Sequence, residues 1–119
     1  MLIYLAGMES NENRQVAYEV GNRNFLMSYF YLENKCVAEM FPYATEKVNV
    51  FLDSGGYTAR KKGVKINLDD YIQYIKTNKD WITAYANFDE SNLEDTLKNQ
   101  KRMEEAGLQP LPVFHGVLS

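Results

Sequence analysis

The sequence is poor in cysteine, proline and glycine, with 1, 3 and 7 of each in 119 residues. The single cysteine, Cys36, excludes a disulfide framework within the chain and a cysteine-based zinc site, and we interpret it as a small buried residue. The low proline and glycine content excludes collagen-like chains, and a hydrophobic fraction of 45% is typical of a globular protein. We therefore predict one domain that spans residues 1–119.

Long hydrophobic runs and an excess of positive charge are also missing. Uncharged runs such as residues 24–32 and 106–119 are shorter than the roughly 20 residues of a membrane span. Residues 1–7 have neither the basic start nor the length of a signal peptide. These absences predict a cytoplasmic protein without a membrane segment. The net charge of −3 gives no general attraction to nucleic acid, and the one basic cluster, residues 60–62 with Lys65, is either a solvated loop or a contact for phosphate.

Apolar runs alternate with helical patterns along the chain. Short β-branched and aromatic runs predict strands, and amphipathic runs between cap residues predict helices. The predicted strands cover residues 2–6, 25–32, 48–52, 81–88 and 111–114, and the predicted helices cover residues 13–20, 35–40, 67–76 and 91–106. Alternation with short connections predicts an α/β fold with about five parallel strands. The nearly continuous apolar runs indicate that both faces of the sheet are covered.

Cap residues mark the ends of two predicted helices. Asn67 is a good N-cap for the helix that follows it. Ser91 and Glu94 have the spacing of a capping box, with a hydroxyl at the N-cap and a carboxylate three residues later. Gly107 is predicted to end that second helix in the left-handed conformation.

Polar residues follow the predicted strands at the points where they end. Asp53 follows the third strand, Asp89 and Glu90 follow the fourth, His115 follows the fifth, and Glu9 comes shortly after the first. Ligands of parallel α/β folds bind beyond the carboxyl ends of the strands. We therefore expect these side chains to converge on one rim of the molecule.

The stretch DSGGY, residues 53–57, has two interpretations. Gly55 and Gly56 have no side chains, so their backbone N–H groups could approach a flat ligand or a phosphate closely, beside the Asp53 carboxylate. The other interpretation is a tight turn in which Asp53 caps the next segment. Tyr57 is either a core residue or a platform on which a nucleobase stacks.

The other strand-end residues also have structural alternatives. Asp89 could simply stabilise the dipole at the start of the next helix, and His115 could be a packed or capping residue. One histidine, no pair of cysteines and scattered carboxylates predict no metal site. The sequence contains no phosphate-loop signature and no recognisable Ser-His-Asp arrangement.

Two of these motifs resemble those of one enzyme family. DSGGY at residues 53–57 resembles the Asp-Ser-Gly-Gly-Phe motif of the tRNA-guanine transglycosylases, the queuine and archaeosine enzymes, and FDES at residues 88–91 resembles their Phe-Asp-Glu-Cys motif. Both fall at predicted strand ends and in the family's order. The surrounding sequence is most similar to the divergent transglycosylase-like proteins of bacteriophages, some of which insert 7-deazaguanines into DNA. The resemblance covers residues 48–115.

The resemblance implies a (β/α)8 barrel and an exchange of guanine for a 7-deazaguanine. It implies that Asp53 acts as a general acid/base, which exchanges a proton with the nucleobase. It also implies that Asp89 accepts hydrogen bonds from the N–H groups of the purine. The two carboxylates should then face each other across a gap as wide as a purine ring. Further contacts with the base are implied for five residues: Ser54, Gly55, Gly56, Tyr57 and Glu90. The sequence departs from the family at Thr58 and Ser91, and at His115, which stands where the family usually has a glutamine that touches the base.

The family's nucleophilic aspartate and its zinc ligands would both lie beyond residue 119. The chain would then supply about five of the eight strands of a barrel of ~250 residues. We therefore expect a truncated protein that binds the purine or 7-deazapurine. On its own, this protein should exchange no base and carry no cofactor. Two alternatives stay open: a site completed by self-assembly or by a separate C-terminal half, and a non-enzymatic purine-binding or interaction module. The polynucleotide partner would be tRNA or DNA, in the cytoplasm of a bacterial host if the chain is phage-encoded.

Overall fold

Three parallel strands form the central sheet in the computed structural model, which describes residues 8–32, 34–88 and 90–112. They are β1 (Asn24–Ser28), β2 (Asn49–Asp53) and β3 (Ile82–Tyr85), and their order in the sheet is their order in the chain. Leu111 continues the sheet beyond β3, because its N–H donates to the Tyr85 carbonyl at 2.9 Å and it forms a parallel bridge with Ala86. The predicted α/β class with parallel strands is confirmed.

The described residues do not show the predicted barrel. The three strands form an open sheet rather than a closed barrel. The predicted first strand, residues 2–6, and residues 113–114 of the predicted last one lie outside the described ranges. Five strands are therefore not shown.

Five helices accompany the sheet in the described part of the chain. They are α1 (Asn11–Glu19), α2 (Tyr29–Leu32), α3 (Gly56–Lys61), α4 (Leu68–Thr77) and α5 (Leu93–Glu105), with a 3-10 turn at Val37–Met40. The sequence predicted α1, α4, α5 and the turn, but neither α2 nor α3. Within these ranges, no helix has the length and apolar character needed to cross a membrane.

Helix α4 forms as the sequence predicts. The side chain of Asn67 accepts a hydrogen bond from the Asp70 N–H at 3.1 Å and so caps the helix. Tyr71, Ile72 and Ile75 form its buried face, and they belong to the same hydrophobic core as the sheet. Burying side chains of this size contributes about 1.5–3 kcal/mol each to stability.

Residues in β1 and β2 alternate between buried and half-buried positions. Phe25, Met27, Val50 and Leu52 are completely buried, whereas the positions between them are only partly covered. Both faces of these two strands are therefore covered, one completely and the other in part. Their apolar runs continue because the half-covered face also carries Leu26 and Phe51.

Several predicted boundaries move in the structure. The predicted strand at residues 25–32 ends at Ser28, and the aromatic residues after it form α2. The predicted strand at residues 81–88 is reduced to β3 and the bridge at Ala86. The N-cap of α5 is Asn92 rather than Ser91, because the Asn92 side chain accepts from the Asp95 N–H at 2.8 Å. Serine and asparagine are both good N-caps, and the structure uses the second of the two adjacent residues.

Cys36 and the basic cluster also differ from expectation. Cys36 is exposed, because it lies in the connection that precedes the 3-10 turn instead of in the core. Residues 60 and 61 of the basic cluster belong to the last turn of α3, so they are helical and not part of a loop. Gly107 has φ of 89° and directly follows the C-cap of α5, as predicted.

Tyrosine burial makes the stability of this fold sensitive to alkaline pH. Burial raises the pKa of Tyr74, whose hydroxyl donates to the Lys35 carbonyl, and burial, with the nearby Asp70 carboxylate, raises the pKa of Tyr29. The unfolded chain ionises its tyrosines near pH ~10, whereas folding opposes the ionisation of Tyr29 and Tyr74. The stabilisation is therefore complete below that pH and is lost as the pH rises through the folded-state pKa values. Urea unfolding from about pH 8 to about pH 11 should show this fall, and Tyr74→Phe should flatten it whereas the exposed Tyr31→Phe should not.

Candidate functional site

The carboxyl ends of the strands meet at one edge of the sheet, as the parallel arrangement requires. Asp53 is the last residue of β2, and its register partner in β1 is Ser28. On the other side, β3 runs parallel to β2, and the Ala86 N–H donates to the Leu52 carbonyl at 2.8 Å. The segments that follow β2 and β3 therefore leave the sheet at the same edge.

The turn after β2 is shaped by its own side chains. The Asp53 carboxylate accepts a hydrogen bond from the Gly55 N–H at 3.3 Å, and the buried Ser54 hydroxyl accepts from the Gly56 N–H at 3.1 Å. Contacts of this kind, from a side chain to the backbone two residues later, are typical of tight turns. Both side chains therefore stabilise a tight turn, although neither caps α3, and Asp53 is half-buried at the strand end.

Gly55 gives room to a neighbouring segment of the chain. Its φ is +76°, and a Cβ atom added to it would lie 2.5 Å from the Cβ of Phe30 and 2.5 Å from the Oγ of Ser28. The space that a Gly55 side chain would take is filled by the end of β1 and the start of α2, and the binding of a ligand by the Gly55 backbone stays a prediction. The missing side chain allows the turn after β2 to pack against these two segments.

A pocket of about 420 Å³ lies beside α3. This volume is within the roughly 300–1,000 Å³ range of small-molecule sites. Gly56 from the first motif and Phe88 and Glu90 from the second motif all line it. The remaining lining residues come from α3 and the connection to α4: Ala59, Arg60, Gly63, Val64, Lys65 and Ile66.

The two motifs are thus brought to one cavity, although some predicted site residues lie beside it. Asp53 and Tyr57 are not part of the lining. Tyr57 is 47% exposed on α3, and the ammonium nitrogen of Lys61 lies 5.1 Å from its ring centroid. Asp89 and His115 lie outside the described residues, so the predicted approach of Asp53 and Asp89 is not tested.

The pocket carries charges of both signs. Glu90 supplies a carboxylate, and Arg60 and Lys65 supply cations from the basic cluster. Phe88, Val64 and Ile66 give the same cavity apolar surface. A lining of this kind can accept hydrogen bonds from an N–H edge, cover a flat ring and hold a negative group close by.

Side chains of α5 fix the position of the second motif. The Glu90 N–H donates to the Thr96 hydroxyl at 2.8 Å. The Asn99 amide donates to the Phe88 carbonyl at 2.9 Å and to a Glu90 carboxylate oxygen at 3.4 Å. Sequence reasoning missed Thr96 and Asn99, although their i, i+3 spacing puts them on one face of the helix and gives a weak signal.

Glu9 reaches the same edge of the sheet from another segment. Its carboxylate accepts from the Ser28 N–H at 2.7 Å, at the end of β1. Glu9 therefore lies at the predicted rim, where it holds the backbone of β1. Among the described ranges, no group of three or more histidine, cysteine, aspartate or glutamate side chains could hold a metal ion.

Comparison with known proteins identifies no relative: no family model, no curated protein and no solved structure matches this chain.

Proposed function

We propose that this chain binds guanine or a 7-deazaguanine, as the base-recognition part of a base-exchange site of the tRNA-guanine transglycosylase type. One observation carries the proposal: Gly56 of the first motif and Phe88 and Glu90 of the second line the same pocket of about 420 Å³. Two stretches that are distant in the sequence and resemble one family thus meet at one cavity of small-molecule size.

The chemistry of the lining suits a purine. The N–H groups of guanine require acceptors, and the Glu90 carboxylate supplies two oxygens for them. Phe88 and Ile66 offer apolar surface to the ring. In this proposal Asp89 binds the same donor edge, His115 contacts the base, and Asp53 exchanges a proton with it, as the resemblance implies.

We further propose that β1, β2, β3 and the strand at Leu111 are consecutive strands of a (β/α)8 barrel. Neighbouring strands of such a barrel are parallel and consecutive in sequence, and its active site lies at their carboxyl ends. The order β1-β2-β3, the parallel bridge between Ala86 and Leu111 and the position of the pocket support this proposal.

The polynucleotide partner in this proposal is tRNA or DNA. Arg60 and Lys65 line the pocket, and Lys61 and Lys62 are exposed beside them. Lysine and arginine contacts with phosphates fix the position of a nucleic acid on a protein. A nucleotide whose base is held in the pocket would place the phosphates of its backbone near this cluster.

Calorimetric titration with guanine and 7-cyano-7-deazaguanine tests base binding. We expect the unmodified protein to bind at least one of them, and Glu90→Ala or Asp89→Ala to weaken the affinity by about 10- to 100-fold, because each change removes a hydrogen bond to a charged group worth about 1.5–3 kcal/mol. Asp80→Ala is the matched control. It removes an exposed carboxylate that precedes β3, at the opposite edge of the sheet.

Two results would contradict base binding: no heat of binding with either base, or an affinity that survives both Glu90→Ala and Asp89→Ala. A separate incubation with guanine-labelled tRNA or DNA and a 7-deazaguanine tests the reaction. Release of the label would assign base exchange to this chain. Retention of the label together with intact base binding would assign it recognition alone.

A further inference from the structure

The backbone around Glu90 is attached to α5 by hydrogen bonds from side chains. The Thr96 hydroxyl accepts the Glu90 N–H at 2.8 Å and lies 3.0 Å from the Asn92 carbonyl and 3.4 Å from the Glu90 carbonyl. A hydroxyl has one proton to donate, and the shorter distance assigns it to Asn92. Thr96 is 3% exposed, so water does not compete for these bonds.

Asn99 acts on the other side of the same segment. Its amide nitrogen carries two N–H donors, and these reach the Phe88 carbonyl at 2.9 Å and a Glu90 carboxylate oxygen at 3.4 Å. One side chain therefore holds both the Phe88 carbonyl and the Glu90 carboxylate. Both Phe88 and Glu90 line the pocket.

The buried Asn87 also links this segment to α5. Its amide donates to the Thr96 carbonyl at 2.9 Å, and its own N–H donates to the Leu111 carbonyl at 2.8 Å. Because α5 is capped by Asn92 and has Met103 in the core, the helix is a fixed reference for the segment that it holds. Hydrogen bonds to a carboxylate and to buried backbone groups are among the stronger polar contacts in a protein.

We propose that Thr96 and Asn99 are positioning residues for Glu90, and that their bonds set the affinity of the pocket for a purine N–H edge. The inference rests on the proposed function, since it assigns these residues a role in base binding. Neither residue lines the pocket. They act through Phe88 and Glu90, by holding the acceptor oxygens where a base can meet them.

The test is a set of affinities for 7-cyano-7-deazaguanine, measured by calorimetry together with the thermal midpoint of each variant. Thr96→Val and Asn99→Ala should each weaken binding about tenfold, the value expected for the loss of one hydrogen bond. Thr96→Ser keeps the hydroxyl and should bind within about twofold of the unmodified protein. Lys101→Ala changes an exposed residue of the same helix and should leave the affinity unchanged.

A double-mutant cycle separates positioning from general destabilisation. Because Asn99 acts partly through Glu90, Asn99→Ala should cause a clearly smaller loss of affinity in the Glu90→Ala background than in the unmodified protein. An equal tenfold loss in both backgrounds, or no loss in either, would overturn the positioning role while base binding by the unmodified protein still stands. If the unmodified protein binds no base, the proposed function is wrong, and the role of Thr96 and Asn99 in binding is wrong with it.

Discussion

Gly55→Ala is expected to destabilise the protein by about 2–6 kcal/mol, the sum of two costs. A residue with a side chain is strained by about 1–3 kcal/mol at the positive φ of +76° that Gly55 adopts. The new Cβ would also lie 2.5 Å from the Cβ of Phe30, and relieving such overpacking costs typically 1–3 kcal/mol. Because a domain of this size is stable by roughly 5–15 kcal/mol, the substitution removes a large share of its stability.

The clash cannot be relieved by a simple side-chain rotation. The Ser28 hydroxyl can turn away, but the Phe30 Cβ is fixed to the backbone, and the Phe30 nitrogen lies 3.1 Å from the added atom as well. Relief therefore requires α2 or the turn after β2 to move. Since the Asp53 carboxylate accepts from the Gly55 N–H, moving the turn would also move Asp53.

Gly63→Ala is the matched control for this prediction. Gly63 has a similar φ of +70°, but a Cβ added there would have no atom within 4 Å. Only the backbone strain remains, so a loss of about 1–3 kcal/mol is expected. Urea unfolding of the two variants measures the difference. Equal losses would show that the contact with Phe30 is unimportant and that strain alone explains the need for glycine.

Sequence patterns predicted the elements whose signals are local. For α4, the Asn67 cap and the apolar face were both readable in the sequence, and both are present. For β2, the apolar run and the carboxylate at its end defined the strand. Such elements are predictable because a cap or a period of side chains acts within the element itself.

The sequence could not predict α2 and α3, because their helical state depends on contacts outside them. Residues 29–32 continue the aromatic run of β1, and nothing in the run marks Ser28 as its end. Helix α3 has six residues and starts with glycine, so it has no side-chain cap and too few turns to show an apolar period. The packing of the turn against Phe30, which requires Gly55, fixes where α3 begins.

The candidate site was predictable only in outline. Strand ends and motifs identified Gly56 and Glu90, which line the pocket. Arg60 and Lys65 were noted as a basic cluster, but their place in the lining depends on the path of the chain after α3. Thr96 and Asn99 act across two elements, and sequence spacing on one helix does not reveal which neighbouring segment the helix will contact.

Arg14→Met is expected to cost about 3–5 kcal/mol, although methionine fills a similar volume. Arg14 is only 2% exposed, and its guanidinium donates to the Met40 carbonyl at 2.9 Å, the Met8 carbonyl at 2.9 Å and the Glu9 carbonyl at 3.1 Å. Methionine would leave the buried Met40 carbonyl and the two part-buried carbonyls without this donor, and a buried acceptor that loses its donor costs about 1–3 kcal/mol. Arg14→Lys should recover only part of the loss, because an ammonium group lacks the planar arrangement of donors.

Arg102→Met is the control for Arg14→Met, and the rate of amide exchange at Ser28 is a second measurement. Arg102 forms an exposed ion pair with Asp69 at 3.0 Å, so its loss should cost no more than about 1 kcal/mol in urea unfolding. Arg14 holds the Glu9 carbonyl, and the Glu9 carboxylate holds the Ser28 N–H beside Gly55. Arg14→Met should therefore speed amide exchange at Ser28 as well. A cost equal to that of Arg102→Met, with unchanged exchange at Ser28, would show that the buried guanidinium does not hold this edge of the sheet.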